Sequence, residues 1–212
     1  MKRVFSVLVV CVMICAMFAG CGSTQQDPTT TGTPAGTTTV PTTTPSTTAA
    51  PTQPAVQLPA SALEMLTNIV DAWDFEYKAY FMGGGYATGM VEGAPGAVDA
   101  TDTDTLQYLM YVPEACLTDI QDAASYCHSM NYSVFTSGAF KVTDAAAFAA
   151  NLKSGLDGAQ WMCGIPEYLM IYTLGNEYVL FVMGTSDNLA AFSPALKTAY
   201  PDAVAYFDGL MG

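Results

Sequence analysis

Residues 168–183 read YLMIYTLGNEYVLFVM, and this stretch decides the fold class. Two runs rich in aromatic and β-branched residues, 168–174 and 178–183, flank Gly175-Asn176. A dipeptide of that kind between two such runs predicts an antiparallel hairpin closed by a tight turn. Working outward, residues 132–142 form another strand candidate. Thr143 is placed to cap a helix whose apolar stripe is Phe148, Leu152 and Leu156. Ser193-Pro194 puts a proline at the first position of a later helix, and Pro201 opens a further short segment. The late order is therefore β-α-β-β-α. That order predicts an α+β domain: a small antiparallel sheet with helices mainly on one face. Nearer the start, Ser61-x-x-Glu64 is a capping box followed by Leu66, Ile69 and Trp73 at helical spacing. Asp104-x-x-Gln107 and Thr118-x-x-Gln121 repeat the device and predict two more helix starts. Gly83-Gly84-Gly85 opens a Gly-rich segment, 83–96, that reads as a mobile loop.

A two-residue turn at Gly175-Asn176 would set Tyr172 opposite Val179 and Ile171 opposite Leu180. One sheet face would then carry Leu169, Ile171, Leu180 and Val182, an ordinary core. The other would carry Tyr168, Met170, Tyr172, Val179, Phe181 and Met183. Helices covering both faces would make this second set core as well, and that reading is preferred. Left uncovered, Tyr168, Met170, Tyr172, Phe181 and Met183 would form a binding face able to stack on sugars or dock a partner protein. Burial of those side chains within one chain decides against the surface.

The N-terminus speaks to location. Met1-Lys2-Arg3 is a basic leader, Val4 to Ala19 is an almost unbroken apolar run, and the small residues Ala19 and Gly20 precede Cys21. This is the layout of a secretory signal peptide, with an apolar run short for a membrane span. Phe18-Ala19-Gly20-Cys21 resembles the lipobox of bacterial lipoproteins, with Phe18 where leucine is usual. That resemblance implies cleavage after residue 20 and a diacylglyceryl group on Cys21, the lipid attachment site. Two acyl chains make a stable anchor where one is marginal. The expected location is the outer face of the cytoplasmic membrane. Residues 21–56 are Thr, Pro, Ala and Gly with little else, a composition that cannot bury apolar surface. As a polyproline-like stalk such a segment reaches on the order of 100 Å. Residues 57–212 turn apolar and aromatic and suit one domain.

Charge excludes several partners. The chain carries six basic and nineteen acidic residues, net −13. Removal of the leader takes Lys2 and Arg3 with it, moving the net charge to −15 and leaving no arginine. Nucleic acid is excluded, because phosphate contacts come mainly from Lys and Arg. Docking on anionic lipid and capture of anions by an Arg fork go with it.

Cys116, Cys127 and Cys163 with the single histidine, His128, are four soft ligands, but no C-x-x-C knuckle spaces them as a zinc site. Cys127 and His128 are neighbours, about 100° apart if helical, and so do not form a dyad. On one helix Cys116 and Cys127 would lie about 16 Å apart, so any disulfide would involve Cys163. Three buried, inert thiols are the preferred reading. Asp99, Asp102 and Asp104 sketch a calcium loop that lacks its turn glycine and closing glutamate, and Asp104 reads better as a helix cap. No nucleophile elbow, P-loop or metalloprotease motif occurs, and no cofactor is expected.

Residues 106–192 resemble a family of small lipoproteins of Gram-positive bacteria whose domain has no assigned function. The matching features are Tyr111 before Pro113-Glu114, Ala139-Phe140-Lys141-Val142, Thr143-Asp144, Ile165-Pro166-Glu167 and Gly175-Asn176-Glu177-Tyr178-Val179. The resemblance implies a lipoprotein with an α+β domain and carries no activity. The expectation is a membrane-anchored, non-enzymatic domain that binds a protein or a cell-wall glycan. The alternative is an envelope enzyme, either a carboxylate-based hydrolase or a thiol protein. Two acids in an apolar-walled pocket would favour the enzyme.

Overall fold

The computed structural model describes residues 56–161 and 164–211, which fall in one compact unit, Pro51–Gly212. Cys21, the Thr/Pro segment and Cys163 lie outside the described residues. The elements run α1 (Ala62–Ala72), β1 (Phe81–Gly85), β2 (Gly89–Glu92), β3 (Gly96–Val98), β4 (Ile120–His128), β5 (Phe135–Val142), α2 (Ala145–Asp157), β6 (Tyr168–Leu174), β7 (Tyr178–Gly184), α3 (Ser186–Ala199) and β8 (Val204–Leu210). The class is α+β with an antiparallel sheet, larger than the small one expected. Its order is β2-β1-β4-β5-β7-β6-β8, with β3 also paired to β4, eight strands in all. Among the described residues no helix is long and apolar enough to cross a membrane.

Both faces of the sheet are covered. On one, Met65, Leu66 and Ile69 of α1 and Leu189, Phe192 and Leu196 of α3 pack on Tyr126, Met170, Tyr172, Leu180 and Val182. On the other, Phe148, Leu152 and Leu156 of α2 pack on Phe140, Leu169, Ile171, Val179 and Phe181. Two short helical segments, Thr105–Leu109 and Glu114–Asp119, complete that second layer. Two of the three α-helices thus share a face, but the opposite face is not left to solvent. Covering both faces explains why β7 is buried at every position and reads as a continuous apolar run rather than an alternation.

Local signals explain the helix starts. The Ser61 side chain accepts from the Glu64 N–H at 3.0 Å, and Glu64 in turn accepts from the Ala60 N–H at 2.7 Å. At α2 the cap is Asp144 rather than Thr143: its Oδ1 accepts from the N–H groups of Ala146 and Ala147, both at 3.1 Å. Thr118-x-x-Gln121 does not start a helix, because Ile120 onward enters strand β4, where alternate side chains feed both cores. Asp104 makes no cap bond; Asp102 accepts from the Thr105 N–H instead, at 3.0 Å. Pro194 is not at the start of α3 but inside it, well after Ser186. Pro201 opens a turn into β8 rather than a helix.

The Gly-rich segment is not a loop but the strands β1, β2 and β3. β1 pairs with β4 only through Phe81 and Met82; beyond that point β3 takes its place beside β4. The two backbones cross so closely that a Cβ on Gly83 would lie 2.1 Å from the Gly96 nitrogen and 2.5 Å from the Ser125 carbonyl oxygen. Glycine is required there by contact, not flexibility. Ser125 pins the crossing, donating to the Gly84 carbonyl at 2.7 Å and accepting from the Gly84 N–H at 2.9 Å.

Candidate functional site

The hairpin β6–β7 exists, but its turn has three residues. Leu174 pairs with Tyr178, Tyr172 with Leu180, and Ile171 with Phe181. Gly175 takes the left-handed conformation, φ 58°, while the Asn176 and Glu177 carbonyls accept from the Ala145 and Val142 N–H groups. Those bonds to the β5–α2 junction hold the wider turn. A one-residue change of register moves every β7 side chain to the other face relative to β6. The expected face therefore divides. Tyr168, Met170 and Tyr172 point toward α1 and α3, and Phe181 and Met183 toward α2. Met170, Tyr172, Phe181 and Met183 are buried, so they form no surface; Tyr168 alone is half-exposed.

Tyr168 and Met170 nevertheless line a groove of about 500 Å³ between α3 and the β6–β8 edge. Its apolar wall is Met170 with Leu189, Ala190 and Pro194 of α3, and its polar members are Tyr168, Ser186, Ser193 and Asp208. β8 pairs Asp208 with Met170, which puts the carboxylate on the α3 side of the sheet. There the Tyr172 hydroxyl donates to Asp208 Oδ2 at 2.6 Å. Burial first, then this bond to a carboxylate, pushes the Tyr172 phenol well above its usual range. The Tyr168 phenol is raised too, chiefly by hydrogen bonding to the same carboxylate. Both tyrosines thus keep their protons. Ser193 hydrogen-bonds to Tyr172, and Lys197 sits over the Tyr172 ring at 4.7 Å while donating to the Ala203 carbonyl at 2.8 Å. Glu167, just before β6, accepts from the Ser186 N–H at 2.9 Å and so caps α3 and ties it to this edge of the sheet.

The remaining candidates are not drawn into the groove. Cys116 lies in the Glu114–Asp119 segment with its Sγ toward the Phe148 carbonyl, and Cys127 lies in β4 with its Sγ toward the Met82 carbonyl. Both are buried and free, and burial pushes each thiol up to about 12, far from an activated nucleophile. Cys127 and His128 are strand neighbours, not helical ones, so they face opposite ways. The His128 Nδ1 accepts from the Met130 and Asn131 N–H groups at 3.3 and 3.2 Å. Asp102 accepts from Thr105 and Asp99 from Thr101 as turn closures, and Asp102 also accepts from the Ala87 N–H fifteen residues earlier. Among the described residues no group of three or more His, Cys, Asp or Glu is arranged to hold a metal ion. A second cavity, about 280 Å³, lies where Leu58 and Pro59 meet Tyr200 and Asp202, with Glu64 and Asn68 of α1 in its wall.

Asp208 and Ser193 are the members that sequence reasoning missed. The signal for Asp208 is a lone acid inside the apolar run VAYFDGL, residues 204–210. Comparison of the chain with family models, curated proteins and solved structures found no match.

Proposed function

We propose that this is a lipid-anchored domain on the outer face of the cytoplasmic membrane that binds a ligand in the groove over Asp208. The observation that carries the binding reading is the convergence of Tyr168, Ser193 and Asp208, the last held by the buried Tyr172 hydroxyl, at a groove with an apolar helical wall. Binding sites are commonly concave, mostly apolar, and equipped with a few placed polar groups. The anchor reading rests on the Met1–Cys21 layout and the Thr/Pro segment behind it. A groove of this size suits one small group of a protein or a cell-wall glycan rather than an extended face. The test has two arms. A clickable palmitate analogue fed to cells should label the chain and fail to label Cys21→Ser, and equal labelling of both would overturn the anchor. A thermal-shift screen with cell-wall sugars and peptides should find a ligand whose effect vanishes in Ala190→Trp, which fills the groove from an exposed position. A ligand at a hundred times its Kd adds about 2.7 kcal/mol. A shift that survives Ala190→Trp would place binding elsewhere.

An envelope hydrolase is the second reading, favoured by the smaller cavity, where Glu64 and Asp202 share apolar walls with Leu58 and Leu174. Against it, Glu64 Oε2 is engaged by the Ala60 N–H at 2.7 Å in the α1 cap. Glycan turnover lost in both Glu64→Gln and Asp202→Asn would establish this reading.

A further inference from the structure

Resting on the proposed binding role of the groove, we infer that it takes an alkylammonium group, the chemistry of a lysine side chain or a free alkyl amine. The reasoning is an inventory of donors and acceptors. A phenol has one proton to donate, and a carboxylate has none. Tyr172 spends its proton on Asp208 Oδ2, and Tyr168 directs its own to the same carboxylate. Tyr172 is buried behind the groove, so what Tyr168 and Asp208, which line it, retain for a ligand is oxygen lone pairs. Only the Ser186 and Ser193 hydroxyls can donate, and Ser193 is engaged with Tyr172. A floor of acceptors is matched by a ligand that brings donors, and an ammonium brings three.

Charge decides between a cation and a neutral polyol. No basic side chain lines the groove. Lys197, the basic residue of α3, is turned to the Ala203 carbonyl and the Tyr172 ring. The Asp208 carboxylate is therefore left without a cation at its open side, in a chain of net charge −13. A hydroxyl and an ammonium both make charge-assisted hydrogen bonds to a carboxylate, but only the ammonium also brings the opposite charge. Met170, Leu189 and the Pro194 ring then form a wall for the aliphatic stem, and the half-exposed Tyr168 ring is a surface a cation can lie against.

The experiment uses the full chain in a non-ionic polyoxyethylene detergent, with methionine labelled as ¹³C-methyl. The Met170 resonance, identified by its absence in Met170→Leu, reports from the groove wall. The probes are n-butylammonium chloride, its neutral counterpart n-butanol, and N-acetyl-lysine methylamide. The inference expects a saturable Met170 shift with n-butylammonium, at least tenfold weaker binding of n-butanol, and at least tenfold weaker ammonium binding by Asp208→Asn. Tighter binding of the lysine amide than of n-butylammonium would point to a peptide source, and equal binding to a free amine. Asp208→Asn keeps an acceptor for Tyr172, and Ala190→Trp, which should abolish all shifts, leaves the carboxylate in place. Equal shifts with n-butylammonium and n-butanol would overturn the inference and leave the binding role standing. No Met170 response to an amine, with a groove-dependent ligand found in the thermal screen, would do the same. No response in either experiment would overturn both.

Discussion

Phe181→Ala tests the register of the central hairpin. With the three-residue turn, Phe181 lies opposite Ile171 and under α2, fully buried, its ring parallel to Phe140 at 5.9 Å. It also covers Gly138, whose missing Cβ would sit 2.6 Å from Phe181 Cε1. Removing a buried phenylalanine costs about 3–5 kcal/mol, because transfer energy is lost and the cavity collapses only in part. In a domain of this size each kcal/mol moves Tm by about 2–4 °C, so the expected fall is roughly 6–20 °C. A two-residue turn with the Tyr168–Met170–Tyr172 face left uncovered makes a different forecast: Phe181 on an exposed aromatic face, where truncation changes stability by no more than about 0.5 kcal/mol. Urea denaturation followed by far-ultraviolet circular dichroism measures the difference, with an unchanged m-value as the check that only stability moved. Backbone NMR supplies an independent reading, since a cross-strand contact should join Ile171 to Phe181 and not to Leu180. A loss under about 1 kcal/mol, with an Ile171–Leu180 contact, would refute the register and restore the exposed face.

Three further outcomes follow from the packing. Gly83→Ala should destabilise the domain by about 2 kcal/mol or more, since the new methyl meets the Gly96 backbone, not a side chain that can turn away; a melting curve matching the wild type would show that β1 and β3 do not cross there. Iodoacetamide should leave Cys116 and Cys127 unmodified in the native chain and alkylate both in urea, read by peptide mass spectrometry, because both thiols are buried and held protonated. Stability should be level up to about pH 9 and decline toward pH 12. Burial raises Cys116, Cys127 and Tyr126 to about 12 in the fold, from ordinary values of 9.0 for the thiols and 10.0 for the phenol. A group whose folded pKa is raised contributes stability below its unfolded pKa and loses it as pH climbs through the folded one. Tm values that hold constant to pH 12 would contradict that burial.

Features confined to a short stretch of chain were legible in the sequence. The Ser61 hydroxyl accepts from the Glu64 N–H and Glu64 reaches back to the Ala60 N–H, all within five consecutive residues, so the start of α1 could be placed from the sequence. The β6 run could be bounded to the residue, and the β7 run nearly so, because aromatic and β-branched residues stop where glycine and asparagine begin. The Phe148-Leu152-Leu156 stripe of α2 repeats at the helical period and is buried as a stripe must be. Tertiary structure decided the rest. Whether Gly175 begins a two- or three-residue turn depends on carbonyl partners at Val142 and Ala145, more than thirty residues away, and that choice sorted every β7 side chain to its face. Three glycines in a row look mobile until another backbone is seen 2.1 Å from where a side chain would start. The groove joins Tyr172 to Asp208 across 36 residues of chain. No local pattern encodes such a meeting, because Met170 and Asp208 become neighbours only through the antiparallel pairing of β6 with β8, strands that a second strand and a helix separate in the chain.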